Sequence, residues 1–63
     1  MIRAGSLVYV SIWSDDLEKH IFPKDRVAIM LEVLDKPNMY SYDYKILFCE
    51  RIMRVYKHEI KEV

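Results

Sequence analysis

The chain has 63 residues, 52% of them hydrophobic, and its ten basic and ten acidic residues cancel to a formal charge of zero. That length suits one domain spanning residues 1–63, but a substrate cleft beside the core is hard to support, because ordering each residue costs about 1.5 kcal/mol. Catalysis is therefore not expected, and the charge balance removes both the basic signature of a dedicated nucleic-acid binder and the acidic signature of a solvated tail.

Cys49 is the only cysteine, so no intramolecular disulfide can form and a structural thiolate zinc site would lack its usual partners. No stretch approaches the roughly 18 apolar residues of a membrane span, and Met1-Ile2-Arg3-Ala4-Gly5 lacks the apolar run of a secretory signal. The expectation is a chain that folds on packing alone, binds no cofactor and works off the membrane in a reducing compartment.

After Gly5, the segment Ser6 to Trp13 places Val8, Val10 and Ile12 at period two and reads as a first strand. Ser14 to Asp25 is polar. Ser14 followed by Asp15, Asp16 and Glu18 resembles a helix N-terminus, which predicts one helical turn inside a long loop stopped by Pro23. Arg26 to Leu34 is nearly continuous apolar sequence and reads as a second strand, buried on one face and partly covered on the other. Asp35-Lys36-Pro37-Asn38 supplies a turn, proline fixing φ and asparagine tolerating left-handed geometry.

Tyr40, Tyr42, Tyr44, Ile46 and Phe48 then alternate with Ser41, Asp43, Lys45, Leu47 and Cys49, the clearest period-two pattern in the chain. This predicts a third strand, with Arg51 to Val55 returning as its hairpin partner through Cys49-Glu50-Arg51. That turn lacks the glycine or asparagine a tight hairpin favours. A competing pattern exists: Ile46, Cys49, Met53, Tyr56 and Ile60 recur at three- and four-residue steps, as on an amphipathic helix. Strands are preferred because the tyrosine alternation begins first and β-branched residues are dense. Tyr56 to Ile60 reads as one helical turn and Lys61-Glu62-Val63 as a closing strand.

In this order the chain resembles the small SH3-like barrels of KOW domains, of the PsaE-type subunit of photosystem I, and of short bacteriophage proteins. Arg3-Ala4-Gly5-Ser6-Leu7-Val8-Tyr9-Val10 is similar to their opening strand, Val27 to Val33 to their second, and Tyr44-Lys45-Ile46-Leu47-Phe48 to their third. Val55 through Val63 is similar to the helical turn and final strand that close them. The resemblance implies an all-β fold, a five-stranded SH3-like barrel with a long first loop and a short helical turn before the last strand. It also implies a phage-encoded structural or accessory protein on a capsid or tail, found in the virion or host cytoplasm. A PsaE-like role would instead imply docking to a ferredoxin-like protein without a cofactor of its own.

The scattered carboxylates Asp15, Asp16, Asp25, Asp43, Glu50, Glu59 and Glu62 offer no shared pocket for acid-base chemistry, so no catalytic residue is assigned. His20, His58, Cys49 and Asp16 have no metal-ligand spacing, so no metal site is assigned either. Five tyrosines, one tryptophan, two phenylalanines and four methionines exceed what so small a core can hold, and such residues are the types enriched at interfaces. Tyr9, Trp13, Phe22, Tyr40 and Tyr42 are the candidate partner-binding residues. The expected partner is a protein or larger assembly, with self-association possible. The alternative is a nucleic-acid surface built on Lys45, Arg51, Arg54 and Lys57, interleaved with tyrosines.

Overall fold

The computed structural model describes residues 2–63. It is all-β, with seven strands: β1 (Leu7–Val10), β2 (Ile12–Ser14), β3 (Lys19–Ile21), β4 (Val27–Val33), β5 (Tyr44–Phe48), β6 (Arg51–Val55) and β7 (Ile60–Glu62). A single 3₁₀ turn, Lys57–Glu59, precedes β7. Five strands form an antiparallel sheet in the order β6-β5-β4-β1-β7, while β2 and β3 pair as a separate ribbon. The sheet is open: its edges β6 and β7 are not paired with each other, so the expected barrel is not closed by hydrogen bonds.

Period-two alternation decides which face is buried. Val8 and Val10 from β1, Ala28 and Met30 from β4, Ile46 from β5, Val55 from β6 and Ile60 from β7 form the core. Ile2, Tyr44 and Phe48 pack around it. Each full burial of such an aliphatic side chain contributes about 1.5–3 kcal/mol. The seven core residues therefore carry most of the cohesion, and no side-chain polar atom among the described residues is buried without a partner. Between Met30 and Glu32 the register with β5 shifts, leaving Leu31 as the extra residue of a β-bulge.

Several elements differ from the sequence-based expectation, each for a visible reason. The first strand breaks at Ser11, whose N–H turns away to the Glu59 carbonyl at 2.9 Å. The predicted helical turn after Ser14 is a β-hairpin instead, with Trp13 opposite His20 and Ser14 opposite Lys19. Ser14 still caps locally, its Oγ accepting the Leu17 N–H at 3.2 Å, but the loop then folds back at Glu18, whose φ is 52°. The third strand starts at Tyr44 rather than Tyr40. Asn38 holds the preceding residues in a turn, its Oδ1 accepting the Tyr40 N–H at 2.8 Å while its carbonyl accepts that of Ser41. The last strand begins one residue early, at Ile60, which the core claims. Residues 44–55 form strands, so the competing helical pattern is not used.

The β5–β6 hairpin turns on two residues, Cys49 and Glu50, with Phe48 directly opposite Arg51. Their φ values are 51° and 62°, the doubly left-handed geometry of a type I′ turn, which matches strand twist but strongly favours Asn-Gly. Neither residue suits it. Replacing Cys49→Asn together with Glu50→Gly is therefore expected to stabilise the fold by about 1 kcal/mol, read as a shift in urea midpoint with unchanged slope.

Candidate interaction surface

The first loop, read in sequence as irregular, is an ordered ribbon, and its pairing puts Trp13 beside His20 with ring centroids 5.3 Å apart, edge to face. His20 lies 5.3 Å from the His58 ring of the 3₁₀ turn. His58 stacks with Tyr56 at 5.8 Å, and Tyr56 stacks with Tyr42 at 4.6 Å. The result is a continuous strip of five rings, Trp13-His20-His58-Tyr56-Tyr42, drawn from three chain segments far apart in sequence. Ring pairs of this kind contribute about 0.5–1.5 kcal/mol each beyond area burial. Trp13, Tyr42 and His58 are exposed, so the strip lies open to solvent. At its Tyr42 end lies a surface depression of about 280 Å³, lined by Leu34, Asp35, Pro37, Ser41, Tyr42 and Arg54.

Polar contacts fix the strip from behind. The Tyr56 N–H donates to Glu59 Oε1 at 2.8 Å, and the Glu59 N–H to the Tyr56 carbonyl at 3.0 Å, tying the 3₁₀ turn to itself. The Asp43 Oδ2 accepts the Lys57 N–H at 2.6 Å, and its Oδ1 meets Lys36 Nζ at 3.1 Å. The Asp43 backbone also joins both neighbours, its N–H donating to the Val55 carbonyl and its carbonyl accepting the Leu34 N–H. One residue therefore links the β4–β5 loop, β6 and the 3₁₀ turn. At the other end Ser11 Oγ and His20 Nδ1 are 3.2 Å apart, and the Tyr56 hydroxyl donates to the Tyr40 carbonyl at 3.2 Å.

Of the five candidate partner-binding residues, the structure brings Trp13 and Tyr42 into the strip and places the Tyr40 backbone beside it, Tyr40 being the most exposed of the five at 81%. Tyr9 is elsewhere, on β1 between Val27 and Lys61. Phe22 is half-buried in the connection leading to β4. His20, Tyr56 and His58 complete the strip and lie outside the five residues that the sequence points to. The signals for them are the hairpin symmetry that sets residue 20 against residue 13, and the spacing of Tyr56 and His58 across one tight turn.

The four cations of the alternative surface are dispersed. Lys45 and Arg54 are register partners, Lys45 already paired with Glu32 at 3.4 Å, while Arg51 flanks the hairpin turn and Lys57 belongs to the 3₁₀ turn. Among the described residues no three of His, Cys, Asp and Glu gather as a metal site; His20 and His58 meet without Cys49 or Asp16. No described helix is long and apolar enough to cross a membrane. Comparison with protein-family models, curated proteins and solved structures finds no match.

The hydrogen bond from the Lys57 N–H, helped by the Lys36 ammonium and opposed by partial desolvation, holds the Asp43 carboxyl below its ordinary value. A carboxyl depressed in the folded state contributes stability that is present above its unfolded pKa, near about 3.9, and is lost as pH falls through the folded value. The thermal midpoint is thus expected to drop between about pH 5 and about pH 2, and Asp43→Asn should flatten that drop. An unchanged profile in the variant would remove Asp43 from this role.

Proposed function

We propose that the protein is a non-enzymatic protein-interaction module whose ring strip holds an extended segment of a partner. The observation that carries this reading is the strip itself, five rings from three segments set in place by the Asp43 and Glu59 contacts rather than by mutual collapse into the core. Aromatic rows on a rigid frame suit extended chains, which dock with little ordering cost. The ribbon tip beside Trp13 carries Asp15, Asp16 and Glu18, which favours a segment with a basic residue at that end.

The strand order β6-β5-β4-β1-β7, the β2–β3 ribbon between the first two sheet strands and the 3₁₀ turn before the last strand all support an SH3-like arrangement. On a repetitive assembly such as a capsid or tail, modest affinity at each strip would multiply through multivalency. Nucleic-acid binding is less well supported, because Tyr56 already stacks with both Tyr42 and His58, and because Lys45 is already paired with Glu32. Base stacking needs a free ring face beside a basic groove.

Trp13 is the only tryptophan, so its emission reports on the strip directly. Peptides selected from a displayed random library are expected to shift that emission, with affinity changing little between about 50 and about 200 mM salt. Tyr56→Ala should weaken them by at least about tenfold, in the range of an interface hot spot. Oligonucleotide binding that collapses over the same salt interval, with no peptide selected, would overturn the reading.

A further inference from the structure

The outer face of the five-stranded sheet, opposite the core, is not the polar surface that a solvated antiparallel sheet normally presents. Leu7 lies directly opposite Ile29, Ile29 opposite Leu47, and Leu47 opposite Ile52. These pairings make one aliphatic row across β1, β4, β5 and β6, about 14 Å long at the usual strand spacing. Leu7, Ile29 and Ile52 are 51%, 41% and 68% exposed. Isolated exposed apolar residues need no explanation, but a contiguous row does. Two residues further along β5 and β6, on the same face, runs a second row: Glu32 opposite Lys45, and Lys45 opposite Arg54.

We propose that this face is where two copies of the chain associate, related by a two-fold axis parallel to the strands and passing between β4 and β5. The charge pattern selects both the occupant and the axis. Rotation about that line exchanges β4 with β5 and β1 with β6. Ile29 of one copy then lies over Leu47 of the other, Leu7 lies over Ile52, and Glu32 lies over Lys45, every contact occurring twice as a self-complementary interface requires. Arg54, on edge strand β6, stays at the rim. A two-fold axis across the strands would instead lay each strand over its own copy and set Glu32 over Val27, desolvating that carboxylate without a partner, at high cost. The proposal does not rest on the ring strip, since the two surfaces share no residue.

The expected result in sedimentation velocity is a species of twice the 7.6 kDa chain mass. Glu32→Lys alone and Lys45→Glu alone each place like charges opposite one another and should weaken association at least about tenfold. An equimolar mixture of the two variants should restore the dimer, because opposite charges then meet across the interface while each chain still carries its own internal mismatch. That rescue can arise only between copies. Ile52→Lys should give monomers with an unchanged circular dichroism spectrum. The proposal is overturned by a wild-type chain that stays monomeric up to about 1 mM, by dimers that persist in both charge variants, or by a mixture that fails to recover them.

Discussion

β4 is the strand that joins the two halves of the main sheet. It is the longest strand, bonded to β1 on one side and to β5 on the other, and it supplies Ala28 and Met30 to a core of seven residues. The two flanks, β1 with β7 and β5 with β6, have no direct pairing with each other. Small side chains and a flexible methionine at the crossing let both flanks approach one strand, and the bulge at Leu31 increases local twist so that the flanks need not lie flat. A chain this short has no second layer to absorb a defect in β4. Loss of its packing would separate the flanks rather than loosen one corner.

The polar anchors follow from the same economy. With so few residues available for the core, the 3₁₀ turn and the β4–β5 loop bury little and are tied down by directed contacts instead. Asp43 and Glu59 each satisfy backbone N–H groups that a short helical turn leaves without intrahelical partners, at Lys57 and Tyr56 respectively. Charge-assisted bonds of this type are stronger than neutral ones. They hold Tyr56 and His58 in one geometry without hiding them, which is what a recognition surface needs and a core does not.

Strand residues were legible in the sequence wherever one face is buried, since burial is what imposes period two. Tyr44 to Phe48 and Val27 to Val33 are read correctly for that reason. The alternation from Tyr40 to Tyr42 looks the same but has no buried face, and the Asn38 turn takes its backbone donors. The acidic run after Ser14 mimics a helix start because Ser14 does cap a turn, yet the pairing of Trp13 with His20 depends on a hairpin that no glycine or proline announces. The place of His20 in the ring strip was hidden behind that hairpin. Trp13 and Tyr42 were visible as surplus aromatics, whereas His20, Tyr56 and His58 gain their role only from three-dimensional neighbours. The aliphatic outer row was hidden differently: Leu7, Ile29, Leu47 and Ile52 read as ordinary core candidates until register shows them side by side on the open face.

The surplus of hydrophobic residues therefore has two destinations with different chemistry. The ring strip is amphipathic, its imidazoles and phenols able to bond while their ring bodies exclude water, which suits a partner that comes and goes. The outer row is purely aliphatic and is bordered by charges of both signs, which suits a partner fixed by symmetry. Because the surfaces share no residue, occupation of one leaves the other available. Two copies joined through the sheet would present two strips at fixed separation, and a partner carrying repeated segments would meet the second strip at a high effective concentration. Weak recognition by a 63-residue chain could then become durable attachment without any enlargement of the strip itself.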